Sequence, residues 1–307
     1  MKWISAKELA GFALYRDIVE ALREGFRAGI ETPVRHHHDT SATTTLLLMP
    51  AWSKEFTGLK TVTFKSDNVA LGLPTVQGVY LLIDNATGTP VAMMDGTELT
   101  RRRTAAAGAL ASDYLSRKDS SILVLVGAGA LGAHFVRAHA SVRPIKTVLI
   151  YNRTAEKSEA LVAELSGEGF TAKAVTDLQT AMAEADIISG ITSSTQAIIK
   201  GAWLKPGTHI DLAGAFKPTM RETDAEAVGR SRVYVDTREG AAAEAGDLIQ
   251  AQAEGQFEFS RVQGDLFELC RGTMMGRKTE SEITLFKSCG TALEDLATAV
   301  MVHLRQV

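Results

Sequence analysis

A chain of 307 residues, 45% hydrophobic and 22% charged, is long enough for two domains that each bury a core. A formal net charge of -3, with no block of like charges, provides neither a basic field for nucleic acid nor a polybasic patch for a membrane surface. Cys270 and Cys289 alone suit a reducing compartment better than a disulfide scaffold. No signal-peptide-like stretch opens the chain and no apolar run nears about 18 residues, so a cytoplasmic, soluble protein is expected.

The first element, residues 6 to 28, carries Leu9, Leu14, Ile18, Leu22 and Phe26 at helical spacing and reads as one helix. Short β-branched runs follow: T-T-T-L-L-L-M-P, L-K-T-V-T-F and G-V-Y-L-L-I-D. The last passes through N-A-T-G-T-P, a Gly/Pro turn, into V-A-M-M-D. Such a meander predicts an antiparallel sheet, and the Ala-rich segment 103 to 115 predicts a close-packed helix. From Ser121 the texture changes to strands alternating with helices: I-L-V-L-V, T-V-L-I-Y, F-T-A-K-A-V, D-I-I-S-G-I-T, H-I-D-L-A-G-A and R-V-Y-V-D. That alternation predicts an α/β fold with a Rossmann doubly wound parallel sheet, beside an α+β domain. The tail from Ser281 is a strand-like piece and a helix. It has no place in a completed Rossmann sheet and is expected to cross back, giving one domain from 1–115 with 284–307 and another over 116–283.

I-L-V-L-V-G-A-G-A-L-G sets a buried strand directly before Gly127, Gly129 and Gly132 in G-x-G-x-x-G spacing. The first glycine permits a tight turn, the second lets backbone approach a pyrophosphate, and the third lets the helix pack on the strand. The helix expected from about Ala130, through Leu131, aims its N-terminal amides at the phosphates. The second strand selects the dinucleotide. NAD enzymes place a carboxylate at its end for the ribose hydroxyls, whereas here it ends in Asn152, Arg153 and Thr154. An amide, a guanidinium and a hydroxyl suit a 2′-phosphate, so NADPH is expected in preference to NADH, with Arg153 as a solvated loop residue stacking on adenine the competing reading.

L-K-T-V-T-F, L-G-L-P-T-V-Q-G, M-D-G-T-E-L-T-R-R-R-T-A-A-A, V-G-A-G-A-L-G, Y-N-R-T, H-I-D-L-A-G-A, E-A-G-D-L and L-F-K-S-C-G-T-A-L-E-D-L-A span nearly the whole chain. Together they resemble the ornithine cyclodeaminase/mu-crystallin family of amino-acid and imine oxidoreductases. The resemblance implies a homodimer whose first domain joins the dimer interface to a substrate-binding pocket. It implies a substrate carboxylate held by Arg35, Lys60 and Arg103, which also lie at or near the ends of predicted strands or helices amid apolar neighbours. It further implies Thr75 beside the nicotinamide, Thr192 and Ala213 in the cofactor-binding loops, and Ser288 and Gly290 closing over the cofactor. Where cyclodeaminases carry an aspartate and then a lysine, this chain has Phe216 and Met220. A phenyl ring is neither acid nor base, which argues against ornithine cyclisation and leaves an apolar wall suited to an aliphatic ring. The expected reaction is reduction of Δ1-pyrroline-2-carboxylate to L-proline and of Δ1-piperideine-2-carboxylate to L-pipecolate. Other ketimine reduction, alanine dehydrogenase-like chemistry, residual ornithine cyclodeaminase activity and NADPH-dependent binding of an aromatic acid remain as alternatives.

R-H-H-H poses a separate question. Strand alternation puts Arg35 and His37 on one face, His36 and His38 on the other. With no second cluster at ligand spacing, a metal site is not expected, and His37 is the histidine placed to donate a proton or hydrogen bond to a substrate. Asp67-Asn68 reads as a polar turn, and Asp295 as a helix residue meeting structural contacts.

Overall fold

The computed structural model describes residues 1–33 and 35–306, the side chain of Val69 excepted, as two compact units: 1–104 with 291–307, and 105–290.

The first unit begins with β1 (Lys2–Ile4), α1 (Ala6–Phe12) and α2 (Tyr15–Ala28). Ser5 and Glu8 form a reciprocal capping box that starts α1. The single helix expected over 6–28 is therefore two. Gly11 weakens the last turn of α1, and Leu14 is extended (φ -66°, ψ 141°) and 58% exposed, whereas Leu9, Ile18, Leu22 and Phe26 are buried. Gly29, at φ 75°, closes α2 in the left-handed conformation. Next come β2 (His36–Ser41), β3 (Thr44–Trp52), β4 (Phe56–Lys65), β5 (Val76–Asp84) and β6 (Thr89–Asp95). They form a six-stranded sheet in the order β1-β6-β5-β4-β3-β2, antiparallel apart from the β1–β6 pair. Period-two alternation sorts its faces. Met49, Val62, Tyr80, Leu82 and Met94 are buried on one; Leu48, Leu59, Leu81 and Met93 are half-buried on the other, where Val79 and Trp3 stand exposed. α3 (Gly96–Leu115) starts earlier than the Ala-rich run, because the Asp95 carboxylate accepts from the Glu98 amide and caps the first turn.

The second unit alternates as expected: β7 (Ile122–Val126), α4 (Gly132–Val142), β8 (Thr147–Tyr151), α5 (Ala155–Gly167), β9 (Thr171–Ala174), α6 (Leu178–Glu184), β10 (Ile187–Gly190) and β11 (His209–Leu212). It continues with α7 (Ala225–Arg230), β12 (Arg232–Val235), α8 (Arg238–Glu244), α9 (Gly246–Ala253), β13 (Gly264–Asp265), α10 (Leu266–Arg271) and β14 (Thr284–Lys287). The eight-stranded sheet is parallel throughout, in the order β13-β12-β14-β11-β10-β7-β8-β9. This is a Rossmann-type doubly wound sheet, reversing between β7 and β10. One expectation is corrected. The strand-like piece at 284 does not return to the first unit; T-L-F-K inserts between β11 and β12, where all four residues are buried. Strand order is set by tertiary pairing, so a fully buried strand late in the chain was free to take that slot.

The chain re-enters the first unit as α11 (Ala292–Leu304), which packs on α2 and on β3, β4 and β5. Among the described residues, no helix is long and apolar enough to cross a membrane.

Candidate active site

In the second unit the three motif glycines have three different reasons to be glycine. Gly127 adopts φ 114° and donates its N–H to the Tyr151 carbonyl at 2.8 Å, locking the turn to the end of β8. A Cβ on Gly129 would meet nothing within 4 Å, so it would fill open space over the loop, the space through which a pyrophosphate reaches the backbone. A Cβ on Gly132 would lie 2.7 Å from Leu161 of α5 and 3.6 Å from Leu125 of β7. The third glycine thus serves helix-on-helix packing more tightly than the helix-on-strand packing expected of it. Ala130 and Leu131 form the turn into α4, whose first residue is Gly132 and whose N-cap has no side-chain acceptor. The Gly132 amide donates to the Gly129 carbonyl at 2.9 Å, and the positive end of the α4 dipole at this turn favours an anion. The loop therefore fits a dinucleotide.

At the end of β8, Asn152 is committed to scaffolding: its carbonyl oxygen accepts from the Ala128 amide at 3.1 Å, and its amide donates to the Thr154 carbonyl at 2.9 Å. Arg153 and Thr154 are exposed beside it. Thr192 and Ala213 follow β10 and β11; the Ala213 N–H donates to the Gly190 carbonyl, and that of Thr192 to the Glu222 carboxylate. The Ser288 hydroxyl and the Gly290 amide both donate to Asp236 at the end of β12, at 3.2 and 2.6 Å, which fixes the K-S-C-G segment. Phe216 is half-buried on the loop after β11, with Lys217 exposed next to it and Met220 buried.

In the first unit Lys60 projects from the middle of β4, paired with Met49 and Tyr80, and is buried. Its ammonium lies 2.6 Å from the Asp295 carboxylate, an ion pair by distance although the angle falls outside hydrogen-bond geometry. Arg103, from α3, donates through Nε to Asp295 at 2.9 Å and through Nη1 to Glu294 at 2.5 Å. Both carboxylates sit in the first turn of α11, where the helix dipole favours negative charge. Burial pushes the Lys60 pKa down, the charges of Arg103 and Arg35 add to that, and Asp295 opposes it, leaving a value of about 8. For Arg103, burial alone would lower the pKa, but Asp295 and Glu294 together reverse the sign and hold it above its ordinary value.

Thus Lys60 and Arg103 share one counter-ion, and the half-buried Arg35 lies close enough for its charge to register at Lys60. Only 2% and 7% of the Lys60 and Arg103 side chains are exposed, so both cations are almost wholly enclosed by the protein. Thr75 is half-buried and its carbonyl accepts from the Lys65 amide. His37 pairs with Leu47 and, through it, Val62, which keeps it on the Lys60 face of the sheet, but every residue of its edge strand is exposed. Asp67-Asn68 forms a 3-10 turn tied down by Asn68 donating to the Pro74 carbonyl. Among the described residues no cluster of three His, Cys, Asp or Glu side chains could hold a metal ion. Sequence reasoning set Asp295 aside and passed over Glu294 and Glu222. E-D in L-E-D-L was a signal for the first two, since adjacent acids inside an otherwise apolar helix need buried cations.

The ornithine cyclodeaminase/mu-crystallin family model matches residues 5–307. The chain is 38% identical to a Δ1-pyrroline-2-carboxylate reductase of Paracoccus denitrificans, over 97% of this chain and 95% of that protein. Among solved structures, the Δ1-pyrroline-2-carboxylate reductase of Thermococcus litoralis, in complex with NADH and L-proline, superposes with TM-score 0.95 at 32% identity, covering 99% of this chain and 97% of that one. An archaeal alanine dehydrogenase dimer with bound NAD gives TM-score 0.93 at 29% identity, over 100% and 97% of the two chains. With a glycine-loop Rossmann unit, a buried aspartate shared by a lysine and an arginine, and a match across nearly its whole length, the chain belongs to the ornithine cyclodeaminase/mu-crystallin family.

Proposed function

We propose that this protein is a nicotinamide-dependent reductase of cyclic imino acids, converting Δ1-pyrroline-2-carboxylate to L-proline and Δ1-piperideine-2-carboxylate to L-pipecolate. The observation that carries the reading is the Lys60–Asp295–Arg103 cluster, with Arg35 beside it, in a chain related over its full length to reductases of this imine. Cations confined in apolar surroundings form charge-assisted bonds to a planar carboxylate that are stronger than neutral ones. Arg35, the least enclosed of the three, makes first contact, and Lys60 and Arg103 fix orientation. Reduced nicotinamide, when bound, supplies the hydride for the imine carbon. Lys60 keeps its proton at neutral pH yet has a pKa only about a unit higher, which suits it to supply the proton that the ring nitrogen retains in the amine. Phe216, half-buried on the loop after β11, is an apolar ring with no acid–base function, and His37 is a hydrogen-bonding group on the edge strand.

The cofactor is NADPH in preference to NADH. No carboxylate ends β8, Asn152 is occupied within the loop, and the exposed Arg153 and Thr154 remain for a 2′-phosphate. The assembly is a homodimer: Val79 and Trp3 are 39% and 51% exposed on the apolar outer face of the six-stranded sheet, a surface that a second copy would cover. The test is reduced-cofactor oxidation by the purified protein with each imine. Turnover of either supports the reading; a protein that binds the dinucleotide and turns over neither imine refutes it.

A further inference from the structure

We infer that Glu222 is a positioning residue that shapes the loops after β10 and β11, and through them the nicotinamide half of the cofactor site. The inference rests on the reading above, in which those loops, carrying Thr192 and Ala213, receive the dinucleotide. Glu222 lies between β11 and α7 and is fully buried. One carboxylate oxygen accepts from the Thr192 amide at 2.6 Å, and the other from the amides of Gly214 at 2.7 Å and Ala215 at 3.3 Å. One side chain therefore joins the starts of two loops whose backbones meet again only further along, at the Arg221–Ser194 bond and the Ile199–Thr223 bridge. Glycines flank it for the same reason. A Cβ on Gly214 would lie 2.5 Å from the Glu222 carboxylate and 2.1 Å from the Thr192 carbonyl, and one on Gly190 would lie 3.1 Å from the carboxylate.

Glu222 is itself held from behind. The Asp247 carboxylate, on α9, accepts from the backbone amides of Glu222 and Thr223 at 2.7 and 2.9 Å, and lies 3.1 Å from the ammonium of Lys287 on β14. Asp247 and Lys287 are fully buried, so the array reaches from the sheet to the loops through enclosed charged groups. The charged groups acting on Glu222 oppose one another: burial raises its pKa, Lys287 lowers it, Asp247 raises it, and the Thr192 and Gly214 amides lower it, leaving about 7. Ionised, the carboxylate accepts from all three amides. Protonated, it turns one oxygen into a donor, and a loop amide loses its partner.

The test is fluorescence titration of the full-length protein and of Glu222→Gln with NADH, whose phosphates do not titrate near neutrality, at a series of pH values. In the variant an amide NH2 faces a backbone N–H. The wild-type Kd is expected to tighten as pH rises through about 7, and Glu222→Gln to bind about tenfold or more weakly, as loss of a charged acceptor implies, with no such dependence on pH. A variant with wild-type affinity, or one that keeps the wild-type pH profile and only unfolds at lower temperature, overturns the inference while leaving the cofactor reading intact. If the variant does not fold, a wild-type Kd that is flat across neutrality overturns it. A wild-type protein that binds no dinucleotide overturns both.

Discussion

Replacing Asp295 by Asn keeps the shape of the side chain and removes the charge that Lys60 and Arg103 share. In the wild type, with a Lys60 pKa of about 8, roughly nine-tenths of the molecules carry the ammonium at neutral pH. An opposite charge this close shifts a pKa by about 1–3 units, so the substitution should lower the titration by about one to two units. Lys60 would then be mostly neutral at neutral pH, and the substrate carboxylate would lose a cation. Imine reduction in wild type should fall off above about pH 8, and in Asp295→Asn about one to two units lower. Binding of pyrrole-2-carboxylate, a flat unreactive mimic, should weaken over the same range. An alkaline limb that stays put in Asp295→Asn, in both turnover and mimic binding, would refute the assignment of that limb to Lys60. Stability offers a check of sign. The folded pKa lies below the ordinary 10.5, so the folded state holds fewer protons than the unfolded chain between about 8 and 10.5. Stability should therefore rise with pH across that window, by up to about 3 kcal/mol, and Asp295→Asn should widen the window downward.

Three further outcomes are expected. Arg153→Ala should weaken NADPH binding by about tenfold to a hundredfold while leaving NADH nearly unchanged; equal losses for both would show that Arg153 does not meet the 2′-phosphate. Gly129→Ala should leave thermal stability unchanged, because its Cβ meets nothing within 4 Å, and should still weaken dinucleotide binding. Unaltered affinity would mean that no phosphate approaches that loop. Val79→Lys puts an ammonium on the outer face of the six-stranded sheet and should convert dimers to monomers in sedimentation; an unchanged assembly would place the interface elsewhere.

The dinucleotide loop was legible because its constraints are local: glycine, turn and helix start lie within eleven residues of one another. The parallel sheet was legible for a similar reason, since alternating strands and helices permit few topologies. What could not be read depends on partners distant along the chain. Arg103 meets Asp295 across 192 residues, so a cationic trio was visible from motifs but its buried counter-ions were not. Leu14 shows the other failure. It stood at a helical spacing from Ile18, but spacing cannot reveal a two-residue break, and the helix ends and restarts there. T-L-F-K was recognised as a strand, while its neighbours in the sheet were decided by burial on both faces.

Because the first unit is assembled from 1–104 and 291–307, the two carboxylates that neutralise its interior are synthesised only after the whole second unit. Until α11 emerges from the ribosome, β4 and α3 carry a lysine and an arginine that no nascent core could enclose without stranding their charge. The nucleotide-binding unit, contiguous over 105–290, has all its strands by then. Maturation should accordingly start from the second unit, with α11 acting as the latch that lets the six-stranded sheet close over its cations.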